Sequence, residues 1–144
     1  MAQQMIESNR QGAEVCTGHD MCMKKVVEIL AELHQPRGLL PLKNMEEVGY
    51  NWSTGFLWLK QKEEITHNFK KIGYVRYEKE VTMYVEDKKA TRMTGVKVKT
   101  PLMIWISLAS MAIEDPEGKR LTMATSTGFK KSFPVSAFEL EEKA

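Results

Sequence analysis

The sequence predicts a mainly β fold of the α+β class: an antiparallel β-roll or partly open barrel with one N-terminal amphipathic helix packed on it. Three observations lead there. After Gly49, period-two alternation of apolar and polar residues replaces helical spacing. Through that stretch turn residues recur roughly every 8–12 positions, the signature of consecutive hairpins, and about eight strands result. Ahead of it, one segment carries an apolar stripe at helical spacing.

The helix comes first. Met23, Val26, Val27, Leu30 and Leu33 fall on one face, with Lys24, Lys25, Glu28 and Glu32 mainly on the other. Asp20 is placed to cap its start, and Pro36 followed by Gly38 stops it, so the predicted span is 20–34. Residues 1–12 are polar and read as frayed; 1–19 is expected to be a flexible segment and 20–140 a single domain. Asn44 with Glu47 three residues later reads as the capping box of a one-turn helix.

Strands are predicted over 48–52, 56–62, 65–70, 74–85, 92–99, 102–113, 120–125 and 129–138. Ser53-Thr54-Gly55, Glu86-Asp87-Lys88-Lys89 and Asp115-Pro116-Glu117-Gly118 read as the turns between them. In the fourth strand Val75, Tyr77, Val81, Met83 and Val85 share one face and Arg76, Glu78, Glu80 and Glu86 the other, with Lys79 breaking the pattern. That strand is expected to be half-buried. The sixth is apolar on both faces: Leu102, Ile104, Ile106 and Leu108 on one, Met103, Trp105, Ala109 and Met111 on the other. It is expected to be covered on both sides, by the curled sheet and by the helix.

Composition excludes several classes. A chain of 144 residues suits one domain and buries roughly 68–70% of its unfolded surface, enough to fold without metal or disulfide. The formal charge of +2 is too small to imply nucleic acid or an acidic membrane, and the basic residues Lys88, Lys89, Arg92, Lys97 and Lys99 read as a solvated strand face. The N-terminus has neither a basic start nor an apolar stretch, and the most apolar stretch, Pro101 to Ile113, falls short of the roughly 20 residues a bilayer span needs. Cys16 and Cys22, six residues apart, are poorly placed to bridge. Two thiols without a disulfide framework fit a reducing compartment, and a cytoplasmic location is expected.

No recognised catalytic motif is present: no nucleophile elbow, no His-Glu-x-x-His, no phosphate-binding loop. Cys16, His19 and Cys22 offer metal-ligand types at short spacing, but structural zinc wants four ligands and a polar helix start is the preferred reading. No metal or other cofactor is expected. His67 alternates with Ile65 and Phe69 and is expected to face inward, where a hydrogen-bonded core role outweighs a catalytic one. Glu114 and Asp115 adjoin a turn and read as solvated. Ten methionines and twelve aromatic residues (three Trp, four Tyr, five Phe) stand out, because deformable Met beside aromatic rings suits irregular pockets. Trp58, His67, Tyr77, Met83, Trp105 and Met123 are therefore the candidate ligand-binding residues, against the plainer reading of a solid core. Phe56 and Lys60 flank Trp58 as strand neighbours, an aromatic row ending in a cation.

Leu39-Leu40-Pro41, Val48-Gly49-Tyr50, Ser53-Thr54-Gly55-Phe56, Trp58-Leu59, Thr94-Gly95-Val96-Lys97-Val98-Lys99, Asp115-Pro116 and Lys131-Ser132-Phe133-Pro134-Val135-Ser136-Ala137-Phe138-Glu139 occur in this order. Together, over about residues 20–139, they resemble the plant family called domain of unknown function 538. The resemblance implies a small β-roll with N-terminal helical structure. For activity it implies only suggestions: binding of lipid-like or other apolar molecules, a role in stress or growth, or chlorophyll hydrolysis. Many relatives look secreted; this chain resembles a shorter intracellular branch. Three functions follow as expectations. The first is non-catalytic binding of an apolar small molecule or lipid. The second is an ester hydrolase using His67 with Ser107 or Ser132. The third is an interaction module acting through the N-terminal helix or an open sheet edge.

Overall fold

The computed structural model describes residues 2–70 and 72–138. Glu139, the last residue of the resembling strings, and the expected domain end at 140 lie outside them. In chain order the elements are helix α1 (Ala2–Arg10), strand β1 (Glu14–Thr17), helix α2 (His19–Glu32), strands β2 (Met45–Asn51), β3 (Phe56–Gln61), β4 (Ile65–Phe69), β5 (Gly73–Glu86), β6 (Lys89–Lys99), β7 (Trp105–Ala112), β8 (Arg120–Thr125) and β9 (Lys130–Pro134), and a 3-10 turn (Val135–Phe138). The strands form one antiparallel sheet in the order β1-β2-β3-β5-β6-β7-β8-β9, with β4 attached to β5. Among the described residues β1 and β9 pair with one neighbour each, so the sheet curls into a roll that does not close.

Two elements lie in the stretch 1–19 where the sequence pattern shows none, α1 and β1. Helix α2 starts one residue before its predicted start and is preceded by Gly18 (φ 82°), with no side-chain cap; Asp20 sits inside the first turn instead. Its buried stripe is Cys22, Val26, Ile29 and Leu30, with Met23 and Leu33 partly buried, so the helix is rotated from the expected face. The expected one-turn helix at Asn44 is absent. Asn44 takes a left-handed φ of 48°, and Met45 opens β2 with a bulge before Glu47. Glu47 meets cations rather than capping a helix.

The main core joins α2 to Val48, Tyr50, Leu57, Leu59, Val81 and Met83 on the inner face of the sheet. Phe56 and Trp58 point the opposite way, and α1 covers them by burying Ile6 there. Three contacts fasten α1. Arg10 forms a two-pronged ion pair with Glu47 at 2.7 and 3.3 Å. The Asn51 amide donates to the Asn9 and Gln11 carbonyls at 3.0 and 3.3 Å. The Thr54 hydroxyl donates to the Asn9 side chain at 2.7 Å.

Strand β5 bends in its middle. Residues 73–77 pair with β4, residues 80–84 pair with β3, and the register with β6 slips between Tyr77 and Thr82. Lys79, the break in the alternation, sits at this bend. The buried Gln61 amide donates to the Tyr77 and Glu78 carbonyls, both at 3.0 Å, supplying the bonds the bulged backbone loses. On the other side Gly95 (φ 81°) lets β6 approach so closely that a Cβ there would lie 2.2 Å from the Glu80 carbonyl oxygen.

The expectation that the sixth strand is covered on both faces fails. It begins at Trp105, not Leu102, because Met103 takes φ 64° and turns the chain. Leu108 and Met111 are buried, but Leu102, Met103 and Ile104 face solvent, and helix α2 packs chiefly on β2 and β1 rather than over them.

Candidate functional site

The open end of the roll holds a cavity of about 710 Å³. Its walls come from residues that register places on the inner face: Val98 opposite Ile106, Leu108 opposite Thr125, and Met123 opposite Lys131. Ile72 and Gly73 close one side and Phe133 another. The rim carries Tyr74, Leu102, Met103, Ile104 and Phe129, together with Lys99, Lys130 and Lys131.

Two short loops fix this rim. Thr100 accepts from the Ile104 N–H through its hydroxyl (3.2 Å) and from the Met103 N–H through its carbonyl (2.9 Å), while its own N–H donates to the Ile104 carbonyl (2.9 Å). Thr125 repeats the device: its hydroxyl accepts from the Phe129 N–H at 3.1 Å and its N–H donates to the Phe129 carbonyl at 2.9 Å. The apolar side chains at the mouth are therefore held outward by satisfied backbone.

Of the six candidate ligand residues, Met123 lines this cavity. Tyr77 and Met83 are buried in the main core; the Tyr77 hydroxyl donates to the Leu39 carbonyl at 2.9 Å, and burial holds its phenol well above the ordinary tyrosine range. Trp58 is fully buried on the α1 side with Arg10 over its ring at 5.4 Å. Its buried indole N–H makes no well-formed hydrogen bond, yet it lies near enough to the Glu47 carboxylate to help lower that group's pKa. Trp105 is half-buried on the outer face beneath Arg76, whose guanidinium stands 4.1 Å from the ring centroid. His67 is half-buried on β4, edge-to-face with Phe69 at 4.5 Å. The structure thus spreads the six over five places and brings only Met123 to the cavity. The sequence reading missed Val98, Ile106, Leu108 and Phe133, although their alternation within β6, β7 and β9 carries the signal.

Other candidate chemistry resolves into structural roles. His19 Nδ1 accepts from the Met45 N–H at 3.3 Å, and the Cys22 thiol, raised in pKa chiefly by burial, donates to the Cys16 carbonyl at 3.4 Å. Among the described residues no His, Cys, Asp or Glu group converges to hold a metal ion. Neither Ser107 nor Ser132 hydrogen-bonds to His67; the Ser132 hydroxyl accepts from Arg120 Nε at 3.1 Å. Asp115 caps its own turn, and the N–H groups of Lys119 and Arg120 lower its pKa. No helix of the described residues is long and apolar enough to cross a membrane.

The family model described as a protein of unknown function, DUF538, matches residues 26–139. This chain belongs to the DUF538 family. No curated protein and no solved structure matches it. The match starts inside α2, so α1 and β1 lie outside the matched segment, whereas every wall of the cavity lies within it. In this DUF538 chain strands β2 to β9 and the open mouth belong to the family segment, and Ile6 and Arg10, which cover Trp58, come from the residues before it.

Proposed function

We propose that the protein is a non-catalytic binder that holds an apolar small molecule or lipid in the open end of the roll. The observation that carries this reading is the 710 Å³ cavity walled by Val98, Ile106, Leu108, Met123 and Phe133. Its volume falls within the roughly 300–1,000 Å³ usual for ligand pockets, and apolar walls with a few polar groups at one end suit such ligands. Binding draws on removal of apolar surface from water, about 25 cal/mol per Å². Free Cys16 and Cys22 favour a cytoplasmic setting. Binding is preferred to ester hydrolysis because Ser132 is engaged by Arg120 and no serine is hydrogen-bonded to His67 among the described residues.

The test is native mass spectrometry of protein purified from its own tissue, before and after mild organic extraction, beside a Leu108→Trp variant that fills the cavity. A bound mass lost on extraction and missing from a folded Leu108→Trp protein supports the reading. An apo mass in both, with no uptake of the apolar dye N-phenyl-1-naphthylamine, removes it.

A further inference from the structure

Nine large apolar side chains are exposed on the described surface, and five of them surround the one mouth: Leu102 at 80%, Phe129 at 69%, Met103 at 68%, Ile104 at 56% and Tyr74 at 48%. Exposed apolar side chains scattered singly need no explanation, but a contiguous group marks an interaction site. These are also held outward. Met103 occupies a left-handed conformation that is strained for a residue with a Cβ and persists only where surroundings enforce it. The hydrogen bonds of Thr100 do so here, and those of Thr125 fix the Phe129 loop in the same way.

Lys99, Lys130 and Lys131 ring the same mouth. Among the described residues no carboxylate lies within ion-pair distance of any of them, although other lysines find acids, as Lys97 does with Glu78 at 3.1 Å. Lys99 and Lys131 lie instead over the rings of Tyr74 and Phe133, both at 5.5 Å. The overall charge of +2 conceals this local excess.

We propose that this mouth is a docking surface for an anionic lipid bilayer, with Leu102, Met103, Ile104 and Phe129 entering the interface and the three lysines meeting the headgroups. Charge complementarity selects this partner: an apolar centre with a cationic rim matches an interface that is apolar beneath and negative above. The inference goes beyond ligand storage and does not require the cavity to be filled.

The experiment is co-sedimentation of the full chain with phosphatidylcholine vesicles, with and without phosphatidylglycerol, over a salt series. The wild type is expected to sediment with the anionic vesicles and to be released by salt. A Lys130→Gln/Lys131→Gln variant is expected to bind about 25-fold more weakly, at about five-fold per lysine near an anionic surface. A Leu102→Ser/Ile104→Ser variant, changed only at exposed positions, is expected to keep its melting temperature and lose vesicle binding. Equal binding to neutral vesicles, no binding at all, or unchanged binding by either variant overturns the proposal. So does concentration-dependent self-association abolished by Leu102→Ser/Ile104→Ser, which assigns the patch to a second copy. Uptake of N-phenyl-1-naphthylamine by the wild type reads the cavity separately: dye binding without vesicle binding ends the docking proposal and leaves the binder intact.

Discussion

Replacing Gly49 by alanine sets two effects of opposite sign against each other. Gly49 lies in β2 directly opposite Trp58, and the indole covers it: a Cβ would stand 2.1 Å from Cζ2, 2.3 Å from Cη2 and 2.4 Å from Cε2. Its φ is outside the left-handed region, so the backbone itself accepts alanine. Taken alone, Gly→Ala then stabilises by about 0.4–1 kcal/mol, by narrowing the unfolded ensemble. The ring, however, must retreat by about 1.3 Å, from 2.1 to the 3.4 Å at which ordinary contact begins. It has nowhere to go: Trp58 is fully buried between Ile6 and Phe56, with Arg10 above it. Overpacking costs typically 1–3 kcal/mol, and displacing the ring from the α1 interface moves the cost toward the 3–5 kcal/mol of losing a buried Trp. A net loss of about 3 kcal/mol is expected, close to 10 °C in Tm for a chain of this size. The assay is thermal unfolding of a double-mutant cycle with Trp58→Leu. In the Trp58→Leu background the clash disappears and Gly49→Ala becomes neutral or stabilising. Equal costs in both backgrounds, or a neutral effect in the wild type, refute the argument.

Three more outcomes follow. Glu47 is held below the usual carboxylate range, first by its hydrogen bond with Arg10 and also by the nearby charges of Arg10 and Lys60. A depressed carboxylate contributes stability above its unfolded pKa, about 4.3, and loses it as pH falls through the folded value. Glu47→Gln should therefore be less stable than the wild type at neutral pH, and chemical denaturation should show the gap closing below about pH 4. Gln61→Leu strands the Tyr77 and Glu78 carbonyls and the Lys43 N–H, and should cost about 2–3 kcal/mol in urea unfolding. The thiol of Cys22, buried and raised in pKa, should resist iodoacetamide in the native protein, with half-buried Cys16 reacting first and Cys22 only on unfolding.

Alternation reveals what parity alone decides. Val75, Tyr77, Val81, Met83 and Val85 are all buried as their period-two spacing requires. The Asp115 turn forms where Pro116 and Gly118 place it, because its side-chain and backbone chemistry is local. Parity does not say which of two faces a second layer covers. Trp58 reads as a barrel-interior residue while α1 looks like a polar tail; among the described residues Ile6 is the one apolar side chain that helix buries beside it, too faint a stripe to announce a packed helix. The same limit hides the cavity mouth. Leu102, Met103 and Ile104 read as the start of a covered strand, since apolar residues predict burial and only the turn at Met103 sends them outward. Asn44 and Glu47 match a helix-capping pattern whose partner, a helix, the chain replaces with a bulge and a strand.

The bend in β5 has a consequence for how the molecule comes apart. Along this strand one edge is bonded to β4 and then to β3 while β6 runs along the other, so both halves of the roll are anchored to one backbone. Sheet neighbours toward β1 or toward β9 can detach in turn without exposing it; β5 itself cannot open until one half has already gone. Amides of Val81 to Val85 therefore belong to the last region to exchange with deuterated solvent, with the rim loops at 100–104 and 125–129 near the other extreme. Unfolding therefore works inward from the two ends of the sheet and reaches β5 last.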